Sequence, residues 1–236
     1  MRTAAILPVK RFPIAKQRLG ESVAESLRAK LARAMVGDVL SALRDCPAID
    51  ATIVVTCEPA VARAAAYIGA TVVEDVAEEG QSGAALLGLA RALEDGFERA
   101  LCVPGDCPTL DPAELIALLE EEIVGVVIVP DRHGSGTNGL LLTPPDAISP
   151  SFGPDSRERH ERLAGATGAN WRVERQASLL LDIDTGADLA VLRERLAGET
   201  VRAPRTRAVL ERSTERKRTV SQANAPAMSA GRIAGA

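Results

Sequence analysis

Apolar runs of five to seven residues alternate along the chain with segments whose apolar positions recur at helical spacing. "TAAILPV" at 3–9, "ATIVVT" at 51–56, "TVVED" at 71–75, "RALCVPG" at 99–105, "VGVVIVP" at 124–130 and "NGLLLTP" at 138–144 read as strands. "SLLLDID" at 178–184 reads as a last strand. Between them, Val23, Leu27, Leu31, Met35, Val39 and Leu43 recur at steps of four, the buried stripe of a long helix, with Ser22 and Glu25 as an S-x-x-E capping box. A helix closed by Gly69 follows the second strand, and "AALLGLARALEDG" forms the next helix. Asp111 with Pro112 opens a further helix, "DSRERHERLAG" is helical, and "TGADLAVLRERLAG" closes the series. Continuous apolar strands alternating with helices predict an α/β three-layer sandwich around a mostly parallel, Rossmann-like sheet.

The pattern fades near residue 200. Residues 201–236 carry eight basic and two acidic side chains with little sustained periodicity, so they are expected to form a basic, disordered tail beyond a 1–200 domain. Removing them leaves 20 basic and 30 acidic residues, an acidic body that disfavours nucleic acid as a partner. Aromatic residues make up 2% of the chain, too few for base-stacking platforms. The four cysteines form no C-x-x-C pair and are expected as free thiols. No run approaches the ~20 apolar residues of a membrane span, and a cytoplasmic location is expected.

In open α/β sheets ligands bind beyond the carboxyl ends of the strands. That rule brings three stretches together: "PVKRFPIAKQRLG", "PGDCP" and "DIDTGADL". The first carries Lys10, Arg11, Lys16 and Arg18 with no acid before Glu21. Four cations within nine residues of an acidic body point to an anion such as a polyphosphate, the alternative being a solvated loop. The chain has neither G-x-x-x-x-G-K-[ST] nor G-x-G-x-x-G, which excludes a P-loop and leaves a dinucleotide site unsupported. Asp106, behind Pro104-Gly105, is a candidate metal ligand, the glycine giving room for a close ligand. Asp182 and Asp184 supply a second acidic pair, of which one is expected to face the metal. Magnesium favours a few carboxylates plus substrate phosphates. Asp188, three residues after Thr185, is assigned to helix capping.

"RHGSGTNGLLL" is a further candidate anion loop, with a hairpin turn as the equal alternative. Ser156 sits where a helix begins, which suits a second anionic group. His133 and His160 lack triad partners and are expected at the surface.

"ILPVKRFPIAKQRL", "VPGDCPTLDP", "GTNGLLLTPP", "SFGPDSRERH" and "LDIDTGADL", in this order, resemble the guanylyltransferases that load a phosphorylated three-carbon acid in coenzyme F-420 biosynthesis, the phosphoenolpyruvate and 2-phospho-L-lactate guanylyltransferases. The likeness covers roughly residues 3–196. It implies a sheet of the nucleotide-diphospho-sugar transferase (GT-A-like) type, related to molybdenum-cofactor nucleotidyltransferases. It implies GTP held by Leu7, Pro8, Val9, Lys10, Lys16, Gly83, Pro104 and Gly105, with Lys10, Lys16, Arg18 and Asp106 serving catalysis. Magnesium would sit on Asp106 and an acid of the Asp182/Asp184 pair, Asp182 first. Thr137, Gly153 and Ser156 match positions that grip the acceptor acid. One block departs: "GQSGAALLG" puts Ser82-Gly83 where the family places Leu-Asn near the base.

The implied reaction transfers GMP from GTP to phosphoenolpyruvate, releasing pyrophosphate. The chain's alanine- and arginine-rich composition favours phosphoenolpyruvate over 2-phospho-L-lactate or 3-phosphoglycerate. A homodimer is compatible with this reading. A molybdenum-cofactor nucleotidyltransferase is disfavoured by the absence of a glycine-rich first loop. A non-catalytic GTP-binding module would not need paired metal acids.

Overall fold

A computed structural model describes residues 1–12, 19–20, 23–121, 125–198 and 201–223. In chain order the elements are β1 (Thr3–Val9), α1 (Glu25–Arg44), β2 (Ala51–Thr56), α2 (Pro59–Tyr67), β3 (Thr71–Val73), α3 (Gly80–Glu94), β4 (Arg99–Cys102), α4 (Pro112–Glu120), β5 (Gly125–Pro130), β6 (Thr137–Thr143), α5 (Ser156–Thr167), β7 (Trp171–Val173), α6 (Gly186–Leu196) and α7 (Pro204–Ala223). The strands form one sheet in the order β3-β2-β1-β4-β6-β5-β7. Strand β6 runs antiparallel to both its neighbours, and the other pairings are parallel.

Alternation along the strands splits the core in two. Ala5, Leu7, Val54, Leu101, Val127 and Leu141 face α1, α2 and α4. Ala4, Ile6, Ile53, Ala100, Val126 and Leu140 face α3 and α5. A third cluster joins Leu31 and Met35 of α1 to Leu181, Ile183, α6 and α7. This is the expected three-layer α/β sandwich.

Three caps follow the sequence. Asp111 accepts from the Ala113 amide at 2.9 Å, with Pro112 in the first turn of α4. Thr185 and Asp188 form a reciprocal capping box on α6. Gly69 adopts a left-handed conformation (φ +79°) just past α2. Ser22 lies outside the described residues, and Ala24 stands at the N-cap of α1 without a side-chain cap.

Two expectations are corrected. Residues 178–184 are not a strand. Leu179, Leu181 and Ile183 are buried in alternation, but the backbone bonds to side chains and a loop rather than to a ladder. Asn138 Nδ2 donates to Leu179 O at 2.7 Å, Thr109 Oγ1 to Ser178 O at 3.4 Å, and Ile183 N to Asp106 O at 3.2 Å. These contacts satisfy buried polar groups that a ladder would otherwise pair. The sheet edge is instead β7, three residues beside β5.

The second correction concerns the expected tail, which is helical from Pro204 to Ala223. Its first turn is capped by a carboxylate from another helix: Asp38 of α1 accepts from the amides of Arg205 (3.1 Å) and Thr206 (2.8 Å). Ala203 and Leu210 then join the α1 and α6 side chains in the third core cluster. Both the cap and the apolar partner are distant in sequence, so local periodicity could not reveal the helix.

The packing of α3 on the central strands requires glycine at 88. A Cβ there would lie 2.3 Å from Ile6 Cγ2 and 3.1 Å from Val55 Cγ2. Ile6 is fully buried and β-branched, so it cannot step aside cheaply. Overpacking costs ~1–3 kcal/mol, against ~1 kcal/mol gained from alanine's helix propensity. Gly88→Ala is expected to lower the urea midpoint, a net loss of up to about 2 kcal/mol; a raised midpoint would contradict this packing.

Candidate active site

A cleft of about 400 Å³ opens where the sheet's carboxyl-terminal edge meets the loops above it. Pro8 and Val9 at the end of β1 form one wall with Lys10, Arg11 and Phe12. Pro104, Gly105 and Asp106 follow β4. Because β6 runs antiparallel, its first residues, Thr137 and Asn138, arrive at the same edge. Asp182 and Asp184 face the cleft from the irregular segment, and Gly80 and Gln81 open α3 at its mouth.

The start of the basic loop is held by α2's own capping residue. Glu58 accepts from the Ala60 amide at 3.2 Å through one oxygen and from the Phe12 amide at 3.1 Å through the other. Thr56 Oγ1 donates to Val9 O at 2.7 Å and accepts from the Glu58 amide at 3.0 Å. Strand β2 therefore fixes where Lys10 leaves the sheet. Arg11 pairs with Glu78 across the mouth of the cleft. Lys16 and Arg18 lie outside the described residues.

The acids converge. Asp182 and Asp184 both line the cleft, although only one was expected to face it. Residues two apart in an extended segment share a face, and here the other face carries the buried Leu181 and Ile183. Burial, and then the charges of Asp106 and Asp184, push the Asp182 carboxyl up to about 6. A hydrogen bond from Asn138 Nδ2 (3.2 Å) acts the other way by favouring the ionised form. Asn138 thus orients Asp182 while also holding the Leu179 carbonyl, a role that its place in a glycine-rich stretch did not reveal.

Asp188 stays structural, as the sequence suggested. Burial opposes its ionisation, but the Thr185 hydroxyl and amide, the Asp184 amide and Arg132 together hold its carboxyl below the usual range.

Several residues sit elsewhere than the cleft wall. Leu7 is fully buried in the sheet core. Gly83 lies in the first turn of α3 behind Gly80 and Gln81, its Cα facing Glu79. Gly153 (φ +112°) and the buried Ser156 stand at the start of α5, beside Thr137's partners rather than on the wall itself. Gly105 lines the cleft, but the side chain it lacks would meet Val36 of α1 at 3.0 Å and Val9 at 3.5 Å. Close approach of α1 therefore accounts for this glycine without a ligand.

The glycine-rich stretch 132–139 is the β5–β6 hairpin. Asp131 Oδ1 accepts from the Ser135 amide at 3.1 Å, and a Cβ on Gly136 would meet Asp131 Oδ2 at 2.8 Å. Only Thr137 and Asn138 of that stretch reach the cleft.

His160 overturns its expected surface position. It is fully buried, between Thr137 and the loop before α5, while His133 is exposed. Burial, with the nearby charge of Arg159, lowers its pKa to about 4, so it is neutral near pH 7.

Among the described residues, no three His, Cys, Asp or Glu side chains form a group that could hold a metal ion by themselves. No helix among them is long and apolar enough to cross a membrane.

The raised Asp182 carboxyl has a measurable consequence. An acid whose folded pKa lies above its unfolded value of about 4 favours folding at low pH, and that contribution is lost as pH rises through about 6. In metal-free buffer, Asp182→Asn is expected to raise stability at pH 7.5 by up to roughly 2–3 kcal/mol and to change it little at pH 3.5. The replacement's amide oxygen still accepts from Asn138. Thermal melts across this range test it; equal shifts at both ends would show that charge is not the cause.

Known proteins share both sequence and fold with this chain. Residues 3–220 match the family described as "Guanylyl transferase CofC like". A phosphoenolpyruvate guanylyltransferase from Conexibacter woesei is 48% identical over 213 residues, 89% of this chain and 96% of the relative. A 2-phospho-L-lactate guanylyltransferase from Methanothermobacter thermautotrophicus is 33% identical over 192 residues, 80% of this chain and 83% of that protein. A crystal structure described as a candidate nucleotide-diphospho-sugar transferase from Desulfovibrio desulfuricans G20 superposes with a TM-score of 0.74 at 18% identity, covering 93% of this chain and 98% of the other. That structure bears on the fold alone, whereas the match over nearly the whole chain fixes the kinship: this protein belongs to the CofC-like guanylyl transferase family.

Proposed function

We propose that the chain transfers GMP from GTP to phosphoenolpyruvate, releasing pyrophosphate. The observation that carries this reading is the cleft itself, where Asp106, Asp182 and Asp184 stand opposite the root of the basic loop at Lys10. The 48% identical relative named for phosphoenolpyruvate supports that acceptor. The relative named for 2-phospho-L-lactate, at 33% identity, supports the same reaction on that acid as the second reading.

The chemistry fits the residues present. An oxygen of the acceptor's phosphate attacks the α-phosphorus of GTP while the bond to the β-phosphate oxygen breaks. The nucleophile is an anion at neutral pH, so no side chain has to remove a proton. The barrier lies in bringing two polyanions together. Lys10, Lys16 and Arg18 oppose that repulsion, and pre-alignment of the reactants contributes up to ~7–11 kcal/mol.

Asp106 and Asp182, with Asp184 beside them, have the hard oxygen donors that suit Mg²⁺, and their few ligands leave positions for water and phosphate oxygens. Bound there, the ion would supply positive charge at the triphosphate. Burial first, and then the charges of Asp106 and Asp184, raise the Asp182 carboxyl, and a cation there would offset all three.

Pyrophosphate release from GTP and Mg²⁺, run in parallel with phosphoenolpyruvate, 2-phospho-L-lactate and 3-phosphoglycerate, tests the reading. Turnover is expected with phosphoenolpyruvate; release only with another acid would reassign the acceptor, and silence with all three would end the reading. Asp106→Ala is expected to lower kcat/KM by at least about 10³-fold, ~4 kcal/mol of transition-state stabilisation, with a melting temperature no lower than that of the wild type. Near-normal rates would exclude Asp106 from the metal site.

A further inference from the structure

The buried imidazole of His160 bonds through both of its nitrogens. The Ser151 amide lies 2.8 Å from Nε2, and Thr137 Oγ1 lies 3.0 Å from Nδ1. A backbone N–H can only donate, so Nε2 must be the bare, accepting nitrogen. The single proton of the neutral ring is therefore on Nδ1, which donates to Thr137 Oγ1. With a lone pair of the Thr137 oxygen taken by His160, its own hydroxyl proton remains for another acceptor. Thr137 lines the cleft beside Asn138.

The loop on the far side of the ring is equally fixed. Phe152 packs edge-on against His160, with centroids 5.3 Å apart. The Phe152 amide donates to Ser82 Oγ at 2.8 Å, so the residue that departs from the family pattern at the head of α3 ties down this loop. Arg159 donates to Ser151 Oγ and O at 3.0 Å, to Phe152 O at 3.2 Å and to Pro154 O. His160 thus joins two segments that are apart in sequence: the first residue of β6 and the loop leading through Gly153 to Ser156.

We propose that His160 is a positioning residue which, through a tautomer locked by the Ser151 amide, makes the Thr137 hydroxyl a fixed hydrogen-bond donor to an anionic oxygen of the acceptor. The inference rests on the acceptor reading above. Its logic is one of polarity. With the proton on Nε2, Thr137 would have to donate to the ring and would turn only lone pairs toward the cleft, repelling a carboxylate or phosphate. With the proton on Nδ1, the same hydroxyl offers its hydrogen. The Ser151 amide, which touches no substrate, decides which of the two the acceptor meets.

Two measurements test this. The chain has two histidines, one exposed and one buried, so ¹⁵N-histidine spectra of the full chain resolve them. At pH 7 the buried ring is expected with Nδ1 protonated and Nε2 bare; a protonated Nε2 overturns the proposal. In the pyrophosphate assay, His160→Phe keeps a ring beside Phe152 but removes both hydrogen bonds. It is expected to raise KM for the acceptor about tenfold or more while KM for GTP moves less than twofold. His160→Asn restores a donor near the Nδ1 position and is expected to recover most of that loss. Equal rises in both KM values, or no rise for the acceptor, would overturn the positioning role. If His160→Phe does not fold, His160→Asn and the wild-type spectrum still decide. Wild-type protein that is silent with every acceptor would defeat the functional reading instead, and the ring's protonation then decides the proposal alone.

Discussion

The amide of Ile183 reaches the carbonyl of Asp106 at 3.2 Å, and the geometry of the cleft depends on that bond. It ties together the two backbone segments that bear the acids. Burial, and after it the like charges of Asp106 and Asp184, disfavour an ionised Asp182, and its carboxyl is raised accordingly. A flexible loop would relieve the strain by moving. Here the Asp106 segment is clamped by α1, which packs Val36 against Gly105, and the Asp182 segment is clamped by Asn138, Thr109 and the buried Leu181 and Ile183. Repulsion is thereby retained in the protein and becomes affinity for positive charge.

The two sides of the cleft are built differently. The acidic side is rigid, assembled from the ends of β4 and β6 and a segment bonded to both. The basic side begins at a fixed point, where Thr56 and Glu58 hold Val9 and Phe12.

Much of this was legible in the chain. The strands other than β7 announce themselves as apolar runs, and the caps at Asp111 and Thr185 stand directly before helical patterns. The convergence of Lys10, Asp106 and Asp182 follows from a topological rule about sheet edges. What escaped detection was non-local. Residues 178–184 have a strand's alternation, but their hydrogen bonds go to Asn138 and Thr109, 41 and 69 residues away from their partners. His160 sits in a charged helical stretch whose composition suggests solvent, and its burial is explained by Thr137, Ser151 and Phe152. Gly105 looked like room for a ligand because Val36, its true neighbour, lies on a helix remote in sequence. Pattern reading finds what each segment prefers; it does not find which distant partner completes it.

Helix α7 alters what counts as the smallest self-sufficient form of this chain. A boundary near residue 200 follows the last obvious strand–helix unit, but Asp38 would then be a carboxylate set into α1 with its two amide partners removed. Leu31 and Met35, now fully buried, would lose the cover provided by Ala203 and Leu210. The exposed surface would lie on the helix whose other side supports Gly105 and, through it, Asp106. A segment that contributes no residue to the cleft wall is therefore part of the scaffold that keeps the acids in place, and shortening the chain there would be felt first at the acidic edge of the sheet.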